Sequence, residues 1–537
     1  MHIRRHALAT AVLLIAPAAV ALHGGSESDA APAAAPPSTA AAVAATAPLG
    51  PPTPAAAVLV RSSARAKARA RAARKRRAAA RRTEVRRLRR SRTVAGALRR
   101  ALLTHAISRR EHDGMRRIWW RANRDMRRLR GVRRAELSAV LAMASRLAAA
   151  RVLTASRLEP VFLTVRRNRE FWTSRALPRP GARLTFPRDP VVFEYYSGRG
   201  LAIQPLASFG KANALAGACV RSAARHRCRP AALRRLLGRM VDLGTERGGF
   251  LAWEYFFRFG RGAPPWISAM TQATGAQALA RGRRALGEVR FARAARRALG
   301  AFDRPPPVGV AVRTARGARY AMYSFAPRLR IYNGELQALI GLRDVARISR
   351  SRRAQRLFAA GEPVARRAVP ALDTGAWSLY SEGGAESTLS YHRLVGGFLD
   401  AMCSRTSVRT YCAAGRRFAR YVREAPRVRL RAAGPLRTRR RSAITFTLSK
   451  VSDVIVEVRD RTGRVAFARG MRLTRGRHRF VWAPRRVGRH GLRIVAIGPA
   501  ATRSVVKRTL YAKAVRNKPA RKSGNSSPKA ERAAGKA

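Results

Sequence analysis

Apolar residues recur every three or four positions through most of this chain and every second position near its end. Leu98, Leu102, Leu103 and Ile107 share one helical face, as do Leu137, Val140, Leu141 and Leu147. Residues 93–180 are predicted as a helical region. Trp119-Trp120 and Phe171-Trp172 are its packing anchors, and Pro178 and Pro180 end it. Residues 181–208 alternate instead. Val191, Phe193 and Tyr195 oppose Val192, Glu194 and Tyr196, and Ser197-Gly198-Arg199-Gly200 makes a turn, which predicts a short β-element. It either lines a cleft through Glu194, Tyr196 and Gln204 or is purely structural. Over 209–425 the helical period returns between Gly/Pro-rich loops, with helices expected at 211–224, 230–246, 268–282, 286–300, 332–348, 350–367, 387–402 and 408–423. Antiparallel hairpins in this number predict an α/α toroid with its site on the loops at one end. Residues 436–515 alternate through Ile444, Phe446 and Leu448, then Val454, Val456 and Val458, then Leu492, Ile494 and Ala496. This predicts a β-sandwich. The expected fold class is multidomain and mainly α.

The flanks lack these periods. Arg4 and Arg5 precede a short apolar stretch, Ala7–Leu22, and Ala19-Val20-Ala21 is a small-residue cleavage site. Residues 1–21 read as an export signal, or less readily as an uncleaved anchor, and no other stretch could span a bilayer. Residues 22–92 are expected to be disordered, as an Ala/Pro linker followed by an Arg-rich run. Residues 516–537 are expected to be a disordered tail. Lys and Arg number 112 against 28 Asp and Glu, a net charge of +84. The Arg and Ala bias of a GC-rich genome accounts for the general level, but residues 61–92 exceed it. Like charges at helical spacing predict a frayed run there. It is either a solvated spacer or a contact for an anionic cell-envelope polymer. Export counts against nucleic acid as the partner and places the protein outside the cell or in its envelope.

The four cysteines agree with export. Cys219 and Cys228 lie nine residues apart, as do Cys403 and Cys412, which predicts two local disulfides. Neither pair has the clustered ligands of a zinc site, so no metal is expected.

Candidate chemistry concentrates between residues 265 and 392. Tyr323, Tyr380 and Tyr391 each stand beside turn or helix-breaking residues, where a phenol can serve as acid or base; packing at a rim is the other use of such rings. Pro265, Trp266, Ser268, Ala269, Met270, Gln272 and Gly275 lie in PPWISAMTQATG. Tyr323 precedes Asn333-Gly334 by ten residues, and ALIGLRD follows. Asp373 and Tyr380 lie in DTGAWSLY, and Tyr391-His392 comes next. In this order and spacing, residues 250–425 resemble the C-terminal catalytic domain of the D-glucuronyl C5-epimerase family. Met322 and Ser324 stand where that family has Glu and Pro, and SEGGAES after Tyr380 lacks its Arg-His pair, leaving Glu382 and Glu386 there.

The resemblance implies removal and return of the proton at carbon 5 of a uronic acid in an acidic polysaccharide, without a cofactor. It implies Tyr323, Tyr380 and Tyr391 as acid/base groups and Trp266, Gln272, Asn333, Glu335 and His392 around the substrate. Trp266 either stacks on a sugar or packs in the core; His392 also reads as a helix-opening structural residue, and Asp373 as a turn cap. A lyase would form the same carbanion but expel the oxygen at carbon 4. A non-catalytic glycan-binding envelope protein is the third reading. Residues 436–515 resemble the immunoglobulin-like repeats of bacterial secreted and flagellar hook-capping proteins, which act as supports.

Overall fold

The computed structural model describes residues 54–220, 226–431 and 436–515. The expected export signal, most of the Ala/Pro linker and the C-terminal tail lie outside them. Among the described residues no helix is long and apolar enough to cross a membrane. The chain divides into two compact units, one up to Ala368 and one from Val369. The first is helix-rich; the second combines two helices with a β-rich C-terminal region.

The first unit opens with α1 (Pro54–Arg89), α2 (Val94–Leu103), α3 (Arg109–Arg128), α4 (Gly131–Ala149) and α5 (Ala155–Ser174). The run expected to be frayed is helical in α1. Its alanines favour helix intrinsically, and Arg87 pairs with Glu84 one turn away. Ser108 and Glu111 form a reciprocal cap on α3. Trp172 is fully buried as expected, but Trp120 is 57% exposed, with Arg124 over its ring. Helix α3 buries Met115, Ala122 and Asp125, and adjacent residues on a helix point about 100° apart, so Trp120 lies on the exposed side of this helix.

The predicted β-element is an antiparallel sheet of β1 (Arg183–Phe186), β2 (Asp189–Tyr196) and β3 (Gly200–Ile203). Two buried polar side chains fix it to the helices. Asn168 of α5 donates to the Leu201 carbonyl and accepts from the Leu201 amide and the Trp172 indole. Glu136 of α4 accepts from the Tyr195 hydroxyl (2.8 Å) and from the amides of Gly198 and Gly200 (2.7 Å each). Gly200 has φ +73, and a Cβ there would lie 2.5 Å from Asn168 and Val140, so only glycine closes this turn.

Then follow α6 (Pro205–Val220), α7 (Pro230–Asp242), the hairpin β4 (Thr245–Arg247) and β5 (Phe250–Ala252), α8 (Ala269–Leu286), α9 (Val289–Ala298), the hairpin β6 (Ala311–Thr314) and β7 (Gly317–Tyr320), α10 (Tyr332–Ile348) and α11 (Arg352–Leu372). Helix α8 is buried along most of its length by small residues. Gly341 of α10 sits against Ala273, where a Cβ would meet a backbone oxygen at 2.7 Å. Gln277 and Arg281 both donate to Asp344 across the same contact, and Asn213 of α6 donates to Gln277.

In the second unit, α12 (Leu389–Thr406) and α13 (Arg409–Arg423) form a hairpin. Cys403 pairs with Cys412 at its corner, and Cys219 pairs with Cys228 between α6 and α7, as predicted. The β region begins earlier than expected, at β8 (Val428–Arg431). It continues with β9 (Leu436–Arg437), β10 (Ser442–Leu448), β11 (Ser452–Arg459), β12 (Val465–Leu473), β13 (Gly476–Trp482), β14 (Gly488–Ile497) and β15 (Arg503–Lys513). A three-stranded sheet, β13-β10-β8, and a five-stranded sheet, β12-β11-β14-β15-β9, share one apolar core. Its residues are the alternating ones read from the sequence, such as Phe446, Val456 and Ile494.

Glu136→Gln keeps the shape of the side chain but turns an NH2 group toward one of three buried donors. An unmatched buried donor costs about 1–3 kcal/mol, so the urea midpoint of the first unit should fall. An unchanged midpoint would show that this carboxylate does not hold the turn.

Candidate active site

In the first unit the PPWISAM segment pairs with the one that carries Tyr323. The Ala269 amide donates to the Ala321 carbonyl, the Ser324 amide to the Ile267 carbonyl, and the Ile267 amide to Ser324 Oγ (3.1 Å). Ser324, which replaces the family's proline, thus supplies an acceptor of its own. Met322, at the family's glutamate, fills the space above Gly334 and takes a contact from Ser268 Oγ.

Tyr323 is not on an open polar loop. It is 6% exposed, stacked on Phe325 and packed against Phe259 and Trp266. Trp266 stacks on Tyr255 at 4.2 Å, donates its indole N–H to the Phe257 carbonyl and is 4% exposed. Its flat face is already covered, so the choice between sugar stacking and core packing goes to packing.

Gln272 is also structural. Its amide accepts from the Trp253 amide and donates to the Leu251 carbonyl, fixing α8 to β5. Glu335 makes a two-pronged pair with Arg330 (2.8 and 3.0 Å), which neutralises it. Asn333 differs. Its Oδ1 accepts from the Gly334 amide, while its buried Nδ2 has no partner among the described residues. Glu194, Tyr196 and Gln204 are buried. They form a buried network with Arg183, Tyr255 and Thr271, and burial pushes the Tyr196 and Tyr255 phenols up.

In the second unit Asp373 caps a turn by accepting from the Gly375 amide and also binds Arg417. Short backbone bonds (Leu379 to Leu372, Tyr380 to Ala385, Ser387 to Ser378) then shape a hairpin-like loop. That loop presents Tyr380, half-buried, against Tyr391 in the first turn of α12. The rings meet edge to face at 4.8 Å. Glu386 accepts from the Val451 and Arg475 amides, so it holds the loop.

His392 is 1% exposed and stacks on Trp377 at 3.7 Å. Its Nε2 lies 3.0 Å from the Phe418 carbonyl, which can only accept, so Nε2 carries the proton and Nδ1 accepts from Ser378 Oγ. Both ring nitrogens are therefore occupied, and the substrate-binding expectation for His392 gives way to the structural one. Burial pushes its pKa down to about 4.

Residues 247–420 match the family described as D-glucuronyl C5-epimerase C-terminus. This segment belongs to that family. No curated protein matches the chain. Among solved structures, the cellobiose 2-epimerase of Spirochaeta thermophila is 15% identical, with 50% of this chain and 70% of that one covered and a TM-score of 0.33. The cellobiose 2-epimerase of Bacillus thermoamylovorans is 11% identical, with 54% and 75% covered and a TM-score of 0.32. An α-mannanase of Bacteroides thetaiotaomicron is 10% identical, with 41% of this chain covered and a TM-score of 0.29; the chain spans 61% of its length.

Two supporting contacts escaped the sequence reading. Ser378 sets the His392 tautomer from 14 residues away. Glu254 is held by Arg157, 97 residues earlier, and by Arg247. Neither link has a spacing signature.

The buried His392 makes stability depend on pH. Its folded pKa, about 4, lies below the 6.5 of a free imidazole. As pH falls, the unfolded chain takes the proton first, so this contribution is full above pH 6.5 and is lost between 6.5 and 4. The loss is on the order of 3 kcal/mol. The urea-midpoint advantage of the wild type over His392→Asn should therefore shrink from pH 7 to pH 4.5; a constant gap would contradict a neutral buried ring.

Proposed function

We propose that residues 247–420 are the catalytic part of an exported carbohydrate epimerase. It acts on uronic acid residues of a polysaccharide by exchanging the proton at carbon 5. The observation that carries this reading is the Tyr380–Tyr391 pair, at 4.8 Å, on the family segment.

Epimerisation at carbon 5 removes a proton alpha to a carboxylate and returns one to the opposite face. This needs an acid and a base on the two sides of the ring and cations against the carboxylate as charge grows there. A free phenol has a pKa of about 10, so as a base it needs nearby positive charge, which an Arg-rich chain supplies. Tyr323, Tyr380 and Tyr391 are assigned the acid/base roles through their family positions, with the touching rings of Tyr380 and Tyr391 assigned together to one face of the sugar. Buried Asn333 Nδ2, without a partner among the described residues, is the donor assigned to a sugar hydroxyl or carboxylate oxygen. On this reading the hairpins of residues 209–425 belong to an α/α toroid. The two C-terminal sheets are an immunoglobulin-like support, and the two disulfides suit an exported protein.

The long basic helix α1 favours a second reading, binding to an anionic envelope polymer without chemistry. One experiment separates the two. The protein is incubated in deuterated buffer with uronic-acid polysaccharides, and carbon 5 is followed by NMR. Deuterium should enter that position with inversion and without the unsaturated product of a lyase. Tyr380→Phe or Tyr391→Phe should slow exchange about 100- to 10,000-fold. Full exchange in both variants would remove the tyrosine assignment; no exchange with any bound polymer would favour the binding reading.

A further inference from the structure

A cleft of about 350 Å³ opens in the first unit between α4, the turn after β2, β3 and the loop that follows β5. Arg146, Arg199 and Arg258 line it, with Glu254, Phe256 and Phe257. Most buried carboxylates near this region are already matched: Glu136 by three donors, Glu194 by Arg183 and Glu254 by Arg157 and Arg247. The three lining arginines have no carboxylate partner among the described residues. The Glu254 carboxylate is fully buried and paired, so the three guanidinium groups leave the cleft positive, and Met143, Ile203 and Phe256 give it an apolar wall. A positive cleft with one apolar face fits a sugar ring that carries a carboxylate.

The cleft is also held in place. Arg199 sits between Gly198 and Gly200, whose amides are both fixed by Glu136. Phe257 stacks on Tyr196 and meets Trp266 edge to face, and Trp266 in turn touches Tyr323. One indole therefore separates the cleft wall from a proposed acid/base residue. Arg146 and Arg199 lie outside the family segment and Arg258 within it.

We infer that this cleft is a subsite for an anionic sugar residue of the polymer, and that residues 93–203 serve to complete it. The identity of the polymer rests on the epimerase reading; the anionic subsite rests on the cleft. Guanidinium–carboxylate bonds supply affinity there, and Glu136 is a positioning residue for Arg199.

The test is calorimetric binding of the full chain to a uronate-containing hexasaccharide and to the same hexasaccharide with its carboxyls reduced to alcohols. A chain of charge +84 attracts anions generally, so the control is Arg284→Ala/Arg293→Ala/Arg296→Ala, exposed arginines that do not line the cleft. Arg146→Ala/Arg199→Ala/Arg258→Ala should raise the Kd tenfold or more, and the control should change it much less. Carboxyl reduction should remove the difference between the cleft variant and the wild type. Equal losses in both triple variants, or equal binding of the reduced sugar by the wild type, would overturn the subsite. Cleft-dependent binding without carbon-5 exchange would keep the subsite and discard the epimerase reading; exchange with binding insensitive to the three arginines would do the reverse.

Discussion

The Glu254 carboxylate is the constraint around which the first unit is organised. Its side chain is inaccessible to water, and a lone charge there would be strongly unfavourable. Arg157 of α5 meets it with two parallel bonds, and Arg247 of β4 adds a third. Arg157 also binds the Val152 carbonyl, and Arg247 binds those of Pro265, Pro307 and Val308. One carboxylate thus ties the upstream helices to the loop that leads into Trp266. Removing it would leave two guanidinium groups in a dry site and release several loops together.

That anchoring explains why aromatic residues near the candidate site pack as they do. Tyr255, Phe257, Trp266, Phe325 and Tyr323 form a continuous set of ring contacts. Such a cluster has little freedom, which holds Tyr323 in a fixed place while covering the faces that a sugar would need on Trp266. The departures from the family pattern are absorbed locally. Ser324 becomes an acceptor for a backbone amide, and Met322 fills the hollow that Gly334 leaves. Both replace family residues with neutral groups that bond or pack inside the fold.

In the second unit, polar residues divide between support and exposure. His392, Asp373 and Glu386 all bond to neighbouring parts of the same unit, which fixes the loop between α11 and α12. Tyr380, on that loop, stays half-open against Tyr391. Buried supports and a half-exposed phenol thus lie only a few positions apart in the chain.

The sequence by itself determined the elements. Periods of 3.6 and 2 are local properties, so helices from α6 to α13 and the strands β10, β11 and β14 fell close to where the pattern put them. Cysteines nine residues apart could find only each other at short range. Ordered motifs were enough to recognise the family segment. Tertiary structure alone decided what each polar side chain does. Gln272, Glu335 and His392 carry the residue types of a binding site, yet each is occupied by partners that no spacing reveals. Glu136 and Glu254 carried no signal, because Tyr195, Gly198, Gly200 and Arg157 reach them from tens of residues away, and no spacing brings the three cleft arginines together. A side chain's chemistry is written in its own residue, but its availability depends on which groups the fold brings within about 3 Å.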